Sequence, residues 1–427
     1  MRILIAHSRY RVPGGEETYL EHITPALVRA GHEVASLIGR VPEAPGTWAR
    51  LQLAGRMLWS RESARAVGEL AARFRPDILH VHNLYPGLSP SVLWAARRRG
   101  AAVVLHLHNA RLVCPAATLR SGDLPCRRCL AGEGGRIPWT MWNALARNCR
   151  GNLAESGLYA GVIALHRALG SFESVDAFIA PSRFLGDVLI AGGLPRERIH
   201  WVPNFTLPAA VGEAAEPAGA TGVPYALYAG RIASEKGLPV LLEAMAGTHG
   251  MRLVAAGDGP WLAEARALVA RAGLPVDLPG RLDRPSLGRM LLGARCVVLP
   301  SLVEENAPFT ALEALAAGRP LIASAVGGLP ELVGDAGVLV PPGDACALRV
   351  ALEHIVGSPE RAHALGEQAR RRSAAYRLDL HLERLKNVYA QAIQRRRRAA
   401  GAGVELDART VEAPSRRCED PTWNPFA

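Results

Sequence analysis

The 427-residue chain has no uninterrupted apolar run of about 18 residues, so no membrane-spanning helix is expected. It has no segment that reads as a signal peptide. Met1-Arg2-Ile3-Leu4-Ile5-Ala6 reads instead as a core strand, which predicts a cytosolic protein. Gly-x-Gly-x-x-Gly is missing after that first strand, which argues against a dinucleotide oxidoreductase. No helix-turn-helix, zinc-finger or RNP pattern is present, so nucleic acid is not an expected partner. An Asp-x-Asp motif at a strand end is also lacking. What the chain does have is basic charge, a formal net +11 with a pI near 9.8. That balance favours anionic partners such as nucleotide diphosphates or the anionic face of a membrane.

The most informative segment is Pro300–Pro320. Cys296-Val297-Val298-Leu299 reads as a short buried strand ended by Pro300-Ser301, and Phe309–Ala317 as a helix with Gly318 at its C-cap. Glu305 then falls in the strand-to-helix loop and Glu313 about one turn into the helix. In an open α/β sheet that loop is where ligands bind, and helix amides there favour an anion. Two carboxylates at such a place can accept hydrogen bonds from sugar and ribose hydroxyls, although an isolated pair could equally be solvated. Upstream, Tyr225–Gly237 reads as strand, glycine turn and two cations, Arg231 and Lys236, ahead of a helix from about Leu238. Fixed cations beside a glycine-opened backbone suit a diphosphate. Downstream, Gly327-Gly328-Leu329-Pro330-Glu331-Leu332-Val333 is another glycine loop feeding a helix.

These three ordered motifs, GR…EKG, E-x7-E and GGLPELV, resemble the C-terminal domain of a family 4 glycosyltransferase. The front half agrees. Gly14-Gly15 follows the first strand, and the family carries such a glycine pair where the backbone must approach the sugar nucleotide. Ala102–Asn109 is an apolar strand ending in His-Asn, and His108 matches the family's histidine that reaches the donor sugar. His80 and His106 alternate away from that end and read as packed core residues. The resemblance covers roughly residues 1 to 395. It implies the GT-B arrangement, two doubly wound Rossmann-like domains facing across a cleft, with a terminal helix crossing back. The repeating strand–helix order fits that class. The expected division is 1–205 for the acceptor-side domain, 206–223 for a linker, and 224–375 for the donor-side domain. A terminal helix at 376–400 and a flexible tail at 401–427 complete it.

The resemblance further implies a hexosyltransferase that moves a sugar from a UDP- or GDP-sugar, with retention of anomeric configuration. The acceptor would be a glycan or a lipid-linked glycan in cell-envelope polysaccharide synthesis. In that scheme Arg231 and Lys236 stabilise the leaving diphosphate with help from amides near Asn306, Ala307, Pro308 and Phe309. No metal is then required for catalysis. Glu313 holds the ribose, Glu305 the sugar hydroxyls, and His108 contacts the sugar. This chain has Asn306-Ala307-Pro308-Phe309 where many members carry Gly-Phe after the first glutamate, a departure that bears on donor preference. Two other readings are a GT-B epimerase, which would release a rearranged sugar without an acceptor, and a non-catalytic nucleotide-sugar-binding protein.

Four of the seven cysteines, Cys114, Cys126, Cys129 and Cys149, fall in the order Cys-x11-Cys-x2-Cys-x19-Cys. A Cys-x2-Cys knuckle in a polar loop suits tetrahedral zinc, and unrelated free thiols are the alternative. Such a zinc would be structural, because four thiolates leave no open position. The segment also resembles a cysteine-bearing insertion found after the histidine in some family members. Thr47–Val67 sets Trp48 and Trp59 among Arg50, Arg56, Arg61 and Arg65. It reads either as a helix lying on an anionic bilayer or as one packed on the first domain with a basic outer face.

Overall fold

The computed structural model describes residues 1–9, 14–40, 46–122, 124–130, 137–207 and 222–408. The first half builds a six-stranded parallel sheet from β1 (Arg2–Arg9), β2 (Glu33–Arg40), β3 (Ile78–Val81) and β4 (Ala102–His106), then β7 (Ala177–Ala180) and β8 (Ile199–Trp201). Between β4 and β7 a small antiparallel pair intervenes, β5 (Arg120–Ser121) and β6 (Leu124–Pro125). The second half builds another parallel sheet from β9 (Tyr225–Ala229), β10 (Arg252–Ala256), β11 (Val276–Gly280), β12 (Cys296–Leu299), β13 (Leu321–Ser324) and β14 (Gly337–Val340). Helices cover both faces, so the central strands are continuous apolar runs rather than alternating ones: Ile3 to Ala6 and Ala226 to Tyr228 are all buried.

The spatial orders are β2-β1-β3-β4-β7-β8 and β11-β10-β9-β12-β13-β14. In each sheet the winding reverses once, between β1 and β3 in the first and between β9 and β12 in the second. A reversal opens a crevice beyond the carboxyl ends of the two strands. Both expected motif sets, Gly14-Gly15 after β1 and Arg231 to Phe309 after β9 and β12, lie at these ends.

The terminal helix runs Leu378–Ala408. Its Leu385, Val388, Tyr389 and Ala392 share one core with Ile3, Ile5, Ile78, Val104 and Ile179 of the first sheet. The chain therefore crosses back after completing the second domain, and the amide of Thr206 donates to the carbonyl of Tyr376 at 2.7 Å where the two crossings meet. Two expectations need correction. The expected flexible tail begins too early, since residues 401–408 continue the helix; nothing in that run after Arg398 breaks an α-helix outright, and 409–427 lie outside the described residues. The Thr47–Val67 helix is two helices, Thr47–Leu58 and Arg61–Phe74. Trp59 is extended, and Ser60 caps the second helix by accepting from the amide of Ser63 at 3.1 Å. Of the expected linker, 208–221 lie outside the described residues.

Candidate active site

The loop between β12 and the helix Phe309–Ala316 is braced from both sides by glycines that could not be anything else. Gly237 ends the Arg231–Lys236 segment at φ +77°, and a Cβ there would stand 1.7 Å from the carbonyl oxygen of Pro300. Gly327 sits at φ +58°, with a Cβ position 2.1 Å from the carbonyl oxygen of Glu305. The next amide, Gly328 N, donates to that same oxygen at 2.6 Å. The three sequence motifs are thus one packed unit with the Glu305 loop in the middle.

Within it, Lys236 Nζ lies 2.6 Å from Glu305 Oε1, and Ser301 Oγ donates to the same oxygen at 3.0 Å. Both charged side chains are largely shielded, so the pair is held in one geometry. Arg231 stands at the more exposed rim and pairs with Glu235 four residues on. Glu313, one turn into the helix, is mostly buried and accepts from Arg284 Nη2 at 3.0 Å. Burial pushes its carboxyl above the ordinary value, with Arg284 opposing.

Across the crevice the first domain presents Gly14, Gly15 and His108. The Gly14 amide donates to Glu17 Oε2 at 2.7 Å, opening the helix Gly15–Arg29. A Cβ on Gly15 would meet nothing closer than the Phe309 ring at 3.8 Å. His108 is half-buried, its Nε2 lying 3.1 Å from His82 Nδ1. Burial, and then His7, pull its pKa down to about 3, against the pull of Glu17. The ring is therefore neutral near pH 7 and works as a hydrogen-bonding group.

The two domains are clasped around this space. Asn306 Nδ2 donates to the carbonyl of His108, which brings the Glu305 loop directly against the histidine. Asn204 Nδ2 donates to the carbonyl of Ala307 at 2.9 Å. Glu331 accepts from the amides of Arg183 and Phe184 at 2.9 and 2.7 Å, so a carboxylate of the second domain sits at the start of a first-domain helix, Arg183–Ala191.

Comparison with known proteins fits this geometry. Residues 13–206 match the family described as Glycosyltransferase Family 4, and residues 214–372 match Glycosyl transferases group 1. A 2-deoxystreptamine N-acetyl-D-glucosaminyltransferase of Streptomyces fradiae is 30% identical over 361 residues, which is 79% of this chain and 77% of that one. The chain belongs to the group 1 and family 4 glycosyltransferases. A glycogen synthase of Mycobacterium tuberculosis is 29% identical over 401 residues, 87% of this chain and 90% of that protein. Among solved structures, Anabaena HepE in complex with UDP-glucose superposes with a TM-score of 0.62 at 16% identity, covering 91% of this chain and all of that one, which supports the GT-B fold.

In this glycosyltransferase the structure gathers Lys236, Glu305, Asn306, Phe309, Gly15 and His108 at one place. Arg231 lies at its rim and Glu313 deeper behind it. Ala307 and Pro308 act through the backbone, Ala307 as an acceptor across the domain interface and Pro308 as the N-cap residue of the Glu313 helix. Sequence reasoning missed Ser301, Arg284 and Asn204. Ser301 stands four residues before Glu305 in the same loop and could have been found. Arg284 and Asn204 are remote in sequence and carry no local signal. Glu331 was visible inside GGLPELV, but its partners on the other domain were not.

The four cysteines come from three stretches of chain and converge. Cys114 is buried and the other three partly so, and none is in a disulfide. Burial first, then Cys114, Cys126 and Cys149, push the Cys129 thiol up to about 12. Burial pushes the Cys114 thiol up, with the nearby backbone amides of Leu119, Ala116 and Ala117 opposing it. The donor set suits zinc, though the thiols are not drawn together as closely as one histidine group: among the described residues, the three-ligand group with donor atoms within 4.8 Å of one another is His80, His82 and His106. From this cysteine-bearing segment Arg120 donates to the carbonyl of Leu302 and Arg127 pairs with Glu304, so it leans on the loop that carries Glu305.

Proposed function

We propose that the enzyme transfers a hexosyl group from a nucleoside diphosphate sugar to a hydroxyl of a glycan or lipid-linked acceptor, with retention at the anomeric carbon. The observation that carries this reading is the convergence of Lys236, Glu305 and the neutral His108 on one crevice at the switch points of both sheets, with Glu313 behind.

The leaving group is a diphosphate, so the main demand is stabilisation of negative charge as the bond to the sugar breaks. Lys236 and Arg231 answer it. Each is paired with a glutamate, and a diphosphate competes for both cations. Glu305, released from Lys236, accepts from sugar hydroxyls, and Glu313 accepts from the ribose. Gly15 leaves the backbone open to the phosphates. His108 hydrogen-bonds the sugar beside the reacting carbon. The acceptor oxygen bonds to the anomeric carbon from the face the diphosphate leaves, and the acceptor proton passes to the departing diphosphate oxygen. No divalent cation is called on to bridge the phosphates. Uridine is the base to test first, with guanosine second.

Cys114, Cys126, Cys129 and Cys149 hold a structural zinc in this reading, fixing the segment whose Arg120 and Arg127 brace the donor loop. The acceptor side carries exposed Trp48, Leu51, Trp142 and Leu145 beside arginines, which suits contact with an anionic bilayer. No helix among the described residues is long and apolar enough to cross a membrane. Liposome co-sedimentation with and without anionic lipid tests the contact, and equal recovery on both counts against it. The transfer itself is tested by incubating the enzyme with UDP- and GDP-hexoses and a glycan acceptor, then reading the product anomer by NMR. An inverted product, or a rearranged free sugar with no acceptor required, would sink the reading.

A further inference from the structure

Beneath the donor crevice the first sheet carries a set of histidines that sugar transfer does not use. His80 on β3 and His106 on β4 stand on adjacent parallel strands, with His80 beside Val104 and Val81 beside Leu105. Strand alternation places His80, His82 and His106 on the same face. The motif is His-x-His on one strand and a third histidine on its neighbour. All three are buried, at 0%, 4% and 0% exposure. One ring nitrogen from each lies within 4.8 Å of the other two.

Their hydrogen bonds are divided in a telling way. His80 Nδ1 is 2.8 Å from the Tyr389 hydroxyl, and His82 Nδ1 is 3.1 Å from His108 Nε2. The Nε2 atoms of His80 and His82, and both nitrogens of His106, are buried without a partner among the described residues. An unpaired buried polar atom is costly, and four in one cluster call for an explanation. Burial also keeps these rings neutral, which leaves lone pairs available.

We propose that His80, His82 and His106 form a binding site for a divalent ion of the zinc class, buried between the first sheet and the terminal helix. Neutral imidazole suits such ions, and zinc–nitrogen distances of about 2.0–2.1 Å would set the three nitrogens roughly 3.4 Å apart. Side-chain rotations closing on the order of 1 Å reach that spacing. The outer atoms are already supplied: a metal-bound imidazole holds a second partner on its other nitrogen, and Tyr389 and His108 are those partners for His80 and His82. The site has a consequence for the crevice. A metal on His82 Nε2 leaves the proton on His82 Nδ1, which then donates to His108 Nε2. His108 is thereby held as the tautomer with its proton on Nδ1. The ion ties β3 to β4 and acts on the crevice through His82 and through His106, whose ring stacks on that of His108 at 4.4 Å between centroids. The proposal stands apart from the sugar-transfer reading and from the cysteine zinc.

The test uses the full chain, stripped with chelator and reloaded with Co²⁺ or Zn²⁺. A Cys129→Ser variant sets aside the thiolate site, and the expected result is one bound Co²⁺ with visible ligand-field bands and no thiolate-to-metal charge transfer. His106→Val in the same background is expected to lose that ion. Zinc-edge X-ray absorption on the reloaded wild-type chain needs no variant and is expected to show imidazole scattering. Absence of nitrogen-bound metal in the wild-type chain, a shell of sulfur alone, or full retention of the ion in a folded His106→Val protein would overturn the proposal.

Discussion

Glu313 and Lys236 make opposite demands on the folded state. The Glu313 carboxyl has its pKa raised by burial, so the folded chain holds that proton more tightly than the unfolded chain does. Stability tied to this group is then present at low pH and lost as pH rises through the folded value; at neutral pH the ionised carboxylate is a cost. Glu313→Gln is predicted to keep or slightly raise the melting temperature at neutral pH while weakening donor binding about 10-fold or more, the order of a lost charged hydrogen bond. Calorimetry of the donor nucleotide against both proteins checks it, and a variant that binds as tightly as wild type would remove Glu313 from the ribose role. Lys236 is paired with Glu305 in a shielded place, and its loss leaves that carboxylate with Ser301 alone. Lys236→Met is predicted to cut kcat by about 100-fold or more, as expected for removal of a charge that stabilises the departing diphosphate. A comparable loss in KM alone, with kcat kept, would mean the lysine only binds.

Elements explain why the motifs read so clearly. Three of the glycines in them answer a packing need between neighbouring segments: Gly237 against Pro300, Gly327 against Glu305 and Gly328 against Asn306. Gly327→Ala must place a methyl group 2.1 Å from a backbone oxygen at φ +58°, and is predicted to destabilise the fold by about 1–3 kcal/mol or more and to displace the Glu305 loop. Gly15→Val makes the contrast. Its side chain enters space where only Phe309 stands near, so denaturant midpoints should hardly change while donor binding is blocked. If both variants unfold alike, the distinction between bracing glycines and a ligand-facing glycine fails. Strand, loop and helix around Glu305 and Glu313 were legible because apolar runs, Pro300-Ser301 and Gly318 mark their ends in the local sequence. The break at Trp59-Ser60 was not, because the helical pattern runs through it and the serine cap shows only once Ser63 is seen to donate. The partners of Glu313 and Ala307, Arg284 and Asn204, come from distant chain and leave no periodicity to read.

On the scale of the whole molecule, the terminal helix and the domain clasp hold the two halves together beside His108. His80, His82, His106, His108 and His381 all have pKa values lowered chiefly by burial, His381 to about 4 and His80 to about 3. The unfolded chain takes up protons on these rings below about pH 6.5, which the folded chain refuses. Stability is therefore full above that pH and falls as the solution is acidified, by no more than about 1.4 kcal/mol per pH unit for each histidine. Thermal melts should show a steep decline between about pH 6.5 and 5, before unshifted carboxylates begin to titrate; a flat profile there would mean that the rings are not buried together. The paired-sheet plan was legible from the strand–helix order, and the returning helix from the resemblance that implied it. The clasp itself, Asn306 to His108 and Glu331 to Arg183, exists only once the two halves meet. The most direct single measurement is a thermal-shift panel of UDP, GDP, ADP and NAD on wild type and Glu313→Gln. At about 100 times its dissociation constant a nucleotide adds about 2.7 kcal/mol of stability. The expected result is a rise with UDP or GDP that disappears in the variant. A rise with NAD alone, or one that Glu313→Gln leaves intact, would contradict the assignment of this crevice as the donor site.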